Sequence, residues 1–295
     1  MIDLKDTVIG VVMGGVSAER EVSLNSGKAV AESLRGGGFT VRDVVVDAGV
    51  SEQLREARID VAFLCLHGGW GEDGRVQALC EMLHLPYTGS GVLASALAMN
   101  KPQAKAIFVQ HQIPTPPYCP AISREFVFKT MNFQVPLVVK PSAEGSPVGV
   151  TVVKTEDQFD ETPMAEKFIP GRELTVAVLD GEPLGVVEII PPPGKIYDYD
   201  AKYKGESSYV APAELLAATE AQLRELAQRS YLALGCRGAA RVDFRLDPSG
   251  APFVLEVNTI PGMTALSLLP MSAQVAGISF LELCERMVRS ALKTA

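Results

Sequence analysis

Hydrophobic and polar positions near the start of the chain alternate in a way that predicts two strand–turn–helix units. Residues 8–13 form an apolar run rich in β-branched side chains that stops at Gly14, and Ser17 is placed to cap a helix after the turn. Residues 59–66 repeat this pattern and lead into a helical stretch at 74–83. Because strands that alternate with helices favour parallel pairing, we expect a small α/β domain with its loops at the carboxyl ends of the strands.

The middle of the chain predicts one capped helix and two β-hairpins. Asn100 is a good N-cap for the helical pattern that follows it. The strand-like runs at 135–140 and 148–153 are joined by a glycine-containing turn, which predicts a hairpin. A second hairpin is predicted from the runs at 174–179 and 183–190, because an Asp-Gly turn separates them.

The last third of the chain combines a long polar stretch with two helical patterns. Residues 191–212 carry four tyrosines and show no clear period. A loop of this length inside a compact domain is usually functional or disordered. Apolar residues recur at helical spacing over 213–234, and Gly235 suits the left-handed end of that helix. Ser279 and Glu282 form a capping-box pattern that predicts the start of the last helix.

Composition and charge exclude several classes of protein. The chain has 295 residues, 47% of them hydrophobic, which is enough to fill the cores of two or three compact units. Its formal net charge is −8 and it has no long run of Lys or Arg, so we expect no nucleic-acid partner. We expect no membrane insertion or export, since no apolar stretch could span a bilayer and no basic leader precedes the first strand. Scattered cysteines in apolar surroundings indicate buried thiols and a reducing, cytoplasmic location: Cys65, Cys80, Cys119, Cys236 and Cys284.

A set of polar side chains on a predicted hairpin near the carboxyl end is the first candidate for chemistry. A four-residue turn, DPSG, joins its strands, and the simplest antiparallel register places Asp243 opposite Val254. The same register places Arg241 opposite Glu256. Alternation then puts Asp243, Glu256 and Asn258 on one face, where two carboxylates and an amide suit Mg²⁺ together with phosphate oxygens. The alternative is an ordinary solvent-facing polar side with Arg241 paired to a neighbouring acid, and we expect that a one-residue bulge, where present, would separate the set.

Two further segments suit the parts of a nucleotide. Lys140 ends a strand-like run, and the small residues of the loop at 141–149 allow backbone N–H groups to approach phosphate oxygens. This is not a Walker A motif, because the lysine comes first and a strand follows. The apolar segment at 166–169 is flanked by acids, which suits an adenosine pocket in which Glu173 binds ribose hydroxyls. An exposed hairpin tip and a surface connector are the alternative interpretations of these two segments.

Seven segments, taken in order, resemble the ATP-grasp fold and one family within it, the D-alanine:D-alanine ligases. They cover nearly the whole chain: MGGVSAEREVSLNSG, LHGGWGEDG, PYTGSGVLASALAMNK, KPSAEGSPVG, YDYDAKY, GAARVDFRLD and LEVNTIPGMTALSLLP. The resemblance implies a mixed α/β and α+β architecture. An amino-terminal Rossmann-like α/β domain would occupy 1–90, a small central α+β domain 91–170, and an antiparallel-sheet domain 171–295. Residues 191–212 would form a lid.

The resemblance also implies an activity with its cofactors and partners. In this family the carboxylate of one D-alanine attacks the γ-phosphate of ATP, and the amine of a second D-alanine then displaces phosphate. Two Mg²⁺ or Mn²⁺ ions neutralise the phosphates, and a monovalent cation can act as an activator. The expected product is D-alanyl-D-alanine for peptidoglycan precursors, made in the cytoplasm by a homodimer.

The same resemblance assigns roles to individual residues around ATP. Asp243, Glu256 and Asn258 would bind the metal ions. Arg241 and the Gly262 N–H would stabilise the oxyanion of the tetrahedral intermediate. The residues expected to bind ATP are Lys101, Lys140, Glu166, Lys167, Ile169, Glu173, Lys202, Phe244 and Leu255.

The amino-acid substrates are expected beside three other segments. By resemblance, Glu19 would bind the ammonium group of the first D-alanine, although a place near a helix start also suits the helix dipole alone. Ser267 and the Leu268 N–H would bind the carboxylate of the second D-alanine, although Ser267 is also an ordinary helix cap. His67 would lie near this second subsite, although a lone histidine after a strand is more often structural.

The lid residues carry the expected substrate preference. By resemblance, Tyr203 would join Ser146 and Glu19 in a hydrogen-bonded group over the substrate. Relatives that form depsipeptides lack this tyrosine, so its presence indicates D-alanine and not D-lactate as the second substrate. Two positions depart from the family pattern: Asn100 stands where Asp is usual, and Pro147 stands where a second Ser is common. Pro147 removes a hydroxyl and an N–H donor from the phosphate loop.

Three other functions fit the sequence less well. A different ATP-grasp ligase, making another dipeptide or a depsipeptide, is disfavoured by Glu19, Ser146 and Tyr203. A non-catalytic nucleotide-binding module is disfavoured by Arg241, because binding alone does not require an oxyanion donor beside the metal set. A dinucleotide dehydrogenase is the weakest alternative, since no G-x-G-x-x-G follows the first strand.

Overall fold

The structure, a computed structural model, describes residues 4–121, 123–141, 150–159, 164–192 and 207–293. Within these ranges the strands form three sheets, of three, four and five strands. No helix in the same ranges is long and apolar enough to cross a membrane. The division into domains at residues 90 and 170 stays a prediction.

The first sheet is parallel, as the strand–turn–helix pattern predicts. Its strands and the helices between them are β1 (Val8–Gly14), α1 (Arg20–Gly36), β2 (Thr40–Val46), α2 (Val50–Glu56) and β3 (Val61–Leu64). The strand order is β2-β1-β3, so β1 lies in the centre. Both β1 and β3 are almost entirely buried, which is why their sequences are uninterrupted apolar runs.

The start of α1 differs from the prediction that Ser17 caps it. The helix begins at Arg20, and Glu19 occupies the N-cap position. Ser17 Oγ accepts a hydrogen bond from Glu19 N–H at 3.2 Å and donates one to His67 O at 2.6 Å. The Ser17 side chain therefore ties the turn after β1 to the turn after β3, a long-range contact that no local pattern contains.

Four helices connect the first sheet to the second. They are α3 (Gly69–Glu72), α4 (Arg75–Met82), α5 (Val92–Met99) and α6 (Lys101–Gln110). The predicted cap of α6 is confirmed, because Asn100 Oδ1 accepts a hydrogen bond from Gln103 N–H at 3.2 Å. This cap fixes where α6 begins, and Lys101 is the first residue of the helix.

The second sheet is antiparallel and small. Its strands are β4 (Tyr118–Pro120), β5 (Leu137–Lys140), β6 (Thr151–Val153) and β7 (Met164–Lys167). The order is β4-β7-β5-β6, and a π-helical turn at Phe126–Thr130 lies between β4 and β5. The predicted hairpin of β5 and β6 is confirmed, with Leu137 paired to Val153. Lys140 therefore ends a central strand of this sheet.

The third sheet is antiparallel and larger. Its strands are β8 (Arg172–Leu179), β9 (Glu182–Ile190), β10 (Ser208–Val210), β11 (Ala239–Leu246) and β12 (Pro252–Asn258). The order is β10-β9-β8-β11-β12. The predicted hairpin of β8 and β9 is confirmed; its turn residues Asp180 and Gly181 have φ values of 50° and 84°, which an Asp-Gly turn favours.

A β-bulge between β11 and β12 corrects the predicted register. Asp243 pairs with Glu256, not Val254, and Arg241 pairs with Asn258, not Glu256. Leu255 is the extra residue, because Phe244 pairs with Val254 on the other side of the register shift.

The bulge has a physical reason in the core below the sheet. Val254 and Val257 are both buried there, although strict alternation would send them to opposite faces. The expectation that a bulge would separate the polar set is wrong. The extra residue comes before Glu256, so Asp243, Glu256 and Asn258 stay on one face.

Three helices follow along the rest of the described chain. They are α7 (Ala217–Ala233), α8 (Leu268–Val275) and α9 (Phe280–Lys293). Gly235, just past α7, has a φ of 70°, which confirms the predicted left-handed end. Glu282 N–H donates to Ser279 Oγ at 3.2 Å, as expected at the start of α9. The α9 helix packs on α1 and β3, so a carboxyl-terminal segment completes the core of the first sheet.

Candidate active site

A cleft lies between the second and third sheets. Strands β5 and β7 contribute to one wall, and β8, β11, β12 and the start of α6 contribute to the other. Predicted ATP-binding residues that line it are Lys101, Lys140, Glu166, Lys167, Ile169, Glu173 and Leu255. Phe244 does not line the cleft; its side chain is fully buried in the core beneath β11.

The polar face of β11 and β12 meets this cleft. Arg241 donates two hydrogen bonds to Asp243, from Nε to Oδ1 at 2.8 Å and from Nη2 to Oδ2 at 2.7 Å. Thr175 Oγ1, on the neighbouring β8, donates to Asp243 Oδ1 at 2.6 Å. Across the sheet, Glu256 Oε2 lies 3.4 Å from Lys101 Nζ. Asn258 Oδ1 accepts from the N–H of Ile260, at the start of the following loop.

The donor chemistry of this face fits a hard divalent cation. Asp243 and Glu256 are directly opposite each other, and Asn258 lies on the same face. No cluster of three or more His, Cys, Asp or Glu suited to a metal is present in the part of the chain that the structure describes. A cation here would therefore need the Asn258 amide, phosphate oxygens or water beside the two carboxylates, which is how Mg²⁺ is usually bound.

A buried group of three charges forms the opposite wall. Glu166 Oε1 lies 2.5 Å from Lys140 Nζ, and Glu166 Oε2 lies 2.9 Å from Lys105 Nζ. Burial alone would raise the pKa of Glu166, but the two ammonium groups outweigh it and the pKa is lowered. Burial lowers the pKa of Lys105 to about 8, although attraction to Glu166 opposes that shift. The carboxylate thus holds two cations close together out of water.

Lys105 also connects the two sheets, a role that was not predicted from the sequence. Its Nζ donates to Thr115 Oγ1 at 2.6 Å, and Thr115 Oγ1 donates to Val254 O at 2.8 Å on β12. Glu166 lies on β7, so the Lys105 amine contacts β7 directly and is joined to β12 through Thr115. The available signal was the four-residue spacing from Lys101, which puts both lysines on one face of α6.

Arg245 lines the cleft and was also not predicted from the sequence. It is the cross-strand neighbour of Glu173, and its Nη1 donates to Glu173 Oε2 at 3.0 Å. Burial, with additional repulsion from Asp243 and Glu256, raises the pKa of Glu173 to about 7, and Arg245 opposes this. Only the period-two alternation that also contains Arg241 and Asp243 could have indicated that Arg245 faces the cleft.

Glu19, which is predicted to bind the first D-alanine, lies after β1, and His67 lies after β3. Glu19 is 5% exposed, and an added Cβ at Gly68 would come within 2.6 Å of its Oε2, so the turn after β3 closely covers it. His67 Nε2 is 3.3 Å from Ser26 Oγ, and Ser26 Oγ accepts from Met263 N–H at 3.2 Å. The buried Ser26 therefore joins His67 to the loop that carries the predicted oxyanion donor.

The loop after β12 brings the remaining predicted groups together. An added Cβ at Gly262 would lie 2.8 Å from Ser267 Oγ, so the two residues are in close contact. Ser267 precedes α8, which begins at Leu268 as expected, but its Oγ does not cap that helix. It accepts instead from Thr264 N–H at 2.9 Å. This bond folds the loop so that Gly262 lies against the start of α8.

Four residues of the predicted phosphate loop and lid lie outside the described residues: Ser146, Pro147, Lys202 and Tyr203. Most of the predicted lid, 193–206, is also outside them. Their roles stay predictions.

Comparisons with known proteins show which family this chain is similar to. A family model described as "D-ala D-ala ligase N-terminus" matches residues 43–90, and one described as "D-ala D-ala ligase C-terminus" matches residues 107–289. A D-alanine–D-alanine ligase of Anaeromyxobacter sp. is 46% identical over 297 residues, which is 96% of each chain. That of Syntrophotalea carbinolica is 44% identical over 300 residues, which is 98% of this chain and 97% of the relative.

Solved structures show the same architecture. The D-alanine–D-alanine ligase from Bacillus anthracis complexed with ATP matches with a TM-score of 0.83 and 34% identity, covering 98% of this chain and 97% of that one. The enzyme from Coxiella burnetii matches with a TM-score of 0.83 and 26% identity, covering 98% and 95%. The mixed α/β and α+β architecture predicted from the sequence is confirmed. With matches of this length and identity, the chain belongs to the D-alanine:D-alanine ligase family.

Proposed function

We propose that this chain is an ATP-dependent ligase that joins two D-alanines into D-alanyl-D-alanine for peptidoglycan precursors. The observation that carries the proposal is the arrangement of Asp243 and Glu256 on one wall of the cleft, facing the Lys140–Glu166 pair on the other. Carboxylates for a cation and a lysine for phosphate at one site are what phosphoryl transfer requires. Full-length relatives with this name and a relative solved with ATP support the same activity.

The first step would make an acylphosphate. A carboxylate oxygen of one D-alanine attacks the γ-phosphorus of ATP, the bond to the β,γ-bridging oxygen breaks, and ADP leaves. Lys101 and Lys140 would bind the phosphate oxygens at the two sides of the cleft, and Glu173 the ribose. Mg²⁺ or Mn²⁺, held by Asp243, Glu256 and Asn258, would neutralise charge on the phosphates.

The second step would make the peptide bond. The amine of the second D-alanine attacks the acylphosphate carbonyl carbon, the C–O bond to phosphate breaks, and the amine loses a proton. Arg241 and the Gly262 N–H would stabilise the negative oxygen of the tetrahedral intermediate; losing one such donor costs about 3 kcal/mol of barrier. Glu19 would bind the first ammonium group, and the Leu268 N–H the second carboxylate, since α8 begins there.

The proposal also covers the location of the enzyme in the cell, its oligomeric state and its domain boundaries. We place it in the cytoplasm as a homodimer, with domains at 1–90, 91–170 and 171–295. The family resemblance supports the dimer. A reducing compartment is supported by the cysteines, all five of which are free and buried.

The deciding experiment measures ADP release by the purified protein with ATP and Mg²⁺. D-alanine is the sole amino acid in one reaction, and L-alanine, or D-lactate plus D-alanine, replaces it in others. We expect turnover that depends on D-alanine and yields the dipeptide. If ATP binds and D-alanine stimulates nothing, the substrate assignment is wrong, and other acids and amines need to be screened.

Tyr203→Phe tests the expected choice of the second substrate. We expect the variant to accept D-lactate more readily than the parent at lower pH, because the tyrosine hydroxyl is predicted to join Ser146 and Glu19 over the substrate. The measurement is the ratio of depsipeptide to dipeptide when both acceptors are present. A ratio that does not change between the variant and the parent would show that this tyrosine does not set specificity.

A further inference from the structure

Arg245, on β11, contacts one short segment of the cleft wall through its guanidinium group. Its Nε donates to Ile169 O at 3.0 Å, and its Nη2 donates to Gly171 O at 2.9 Å. Its Nη1 donates to Glu173 Oε2 at 3.0 Å, and its guanidinium carbon lies 5.7 Å from the centre of the Phe168 ring. Backbone, carboxylate and aromatic ring are therefore fixed by one guanidinium group.

The contacted segment, residues 168–173, comprises the connection between β7 and β8 and the first two residues of β8, so it links the second and third sheets. Phe168, Ile169 and Glu173 all line the cleft. Gly171 has a φ of 115°, and a Cβ added there would lie 2.1 Å from Leu246 O. The connection therefore lies directly against the end of β11, where Arg245 can bond to two of its carbonyl groups.

The charges around Glu173 explain why an arginine is useful here. The partly buried Glu173 side chain lies near Asp243 and Glu256, and their negative charges disfavour a third carboxylate. The side chains of Arg245 and Glu173 are only 14% and 12% exposed, so their attraction is weakly screened by water. A planar guanidinium can pair with the carboxylate and bond to two carbonyls at once, which a lysine ammonium cannot do with the same geometry.

We propose that Arg245 is a positioning residue of the nucleotide site, which holds the segment at 168–173, with its Glu173 carboxylate, in the arrangement that binds adenosine. The proposal rests on the proposed function for the identity of the nucleotide. Arg245 acts through Ile169 and Glu173, so its loss weakens ATP binding and leaves the steps after binding intact.

The test compares Arg245→Met with Arg245→Lys and with the matched control Arg172→Met. Arg172 lies beside Glu173 on β8 and makes a bidentate pair with Glu188, but it does not line the cleft. The measurements are the Kd of ATP by titration calorimetry with Mg²⁺, and kcat and KM for ATP in the D-alanine reaction. Thermal unfolding of each variant checks that it is folded.

For Arg245→Met we expect Kd and KM for ATP to rise about tenfold, with kcat within about twofold of the parent, since a hydrogen-bonded ion pair is removed. Arg245→Lys should give intermediate values because it retains only the charge. Arg172→Met should leave both constants unchanged. An unchanged Kd in Arg245→Met overturns the proposal, and so does an equal rise in Arg172→Met.

Two further outcomes keep the test decisive. If Arg245→Met does not fold, the comparison of Arg245→Lys with the parent decides, and equal Kd values for ATP refute the proposal. If the parent binds ATP and does not turn over D-alanine, the proposed reaction fails, while the Kd ratios still decide the role of Arg245.

Discussion

Replacing Glu256 by glutamine is expected to lower D-alanine-dependent turnover by about 10²-fold or more, which corresponds to about 3 kcal/mol on the barrier. Glu256 lies directly opposite Asp243, and its Oε2 is 3.4 Å from Lys101 Nζ. Glutamine keeps the size of the side chain and removes the charge that attracts both Lys101 and a divalent cation. The measurement is kcat as a function of Mg²⁺ concentration, and we expect the half-saturating concentration to rise as well.

Glu188→Gln is a matched control for this experiment. Glu188 is a partly buried carboxylate on the same sheet, with Oε2 2.6 Å from Arg172 Nη2, and it does not line the cleft. Its substitution should change turnover by less than about twofold. A Glu256→Gln variant as active as this control would remove Glu256 from the metal site.

Replacing Glu166 by glutamine is expected to lower the free energy of unfolding by about 3–5 kcal/mol. The carboxylate is 2% exposed and lies between two ammonium groups, Lys105 Nζ at 2.9 Å and Lys140 Nζ at 2.5 Å. Without it, two buried cations face each other. Since burial already lowers the pKa of Lys105 to about 8, we expect this amine to lose its proton near neutral pH in the variant. Urea unfolding at pH 7 measures the effect.

Two companion variants separate charge pairing from simple loss of a side chain. Glu125→Gln removes an exposed partner of Lys129 and should hardly alter the unfolding midpoint. Adding Lys105→Met to Glu166→Gln removes the buried amine that has lost its carboxylate partner, so the double variant should be more stable than Glu166→Gln alone. Equal stability of Glu166→Gln and the parent would contradict a structural role for this buried group.

Local patterns predicted those parts of the fold that depend on neighbouring residues. The apolar runs of β1 and β3 indicated parallel, buried strands, and Asp180-Gly181 indicated the β8–β9 hairpin. Asn100 indicated the start of α6, and its side chain does make the cap. Each of these signals is contained in a few consecutive residues, because strand alternation, turn chemistry and helix caps are short-range.

Contacts between distant segments were not predictable in the same way. Ser17 stands where a helix cap is expected from the sequence. Its hydroxyl instead donates a hydrogen bond to His67 O and so joins two turns. The bulge at Leu255 depends on both Val254 and Val257 being buried against the core below the sheet. The roles of Lys105 and Arg245 depend on Glu166 and Glu173, which are far from them along the chain.

The sequence by itself determined the mixed architecture, the strands and helix starts, and which polar residues share a face of β11 and β12. Alternation has a fixed period of two, so a carboxylate keeps its face wherever the chain stays extended. Only the tertiary structure decided that Asp243 is opposite Glu256 and that Lys140 shares Glu166 with Lys105. Register and buried ion pairs depend on packing and desolvation between segments remote in sequence, and no local pattern encodes those energies.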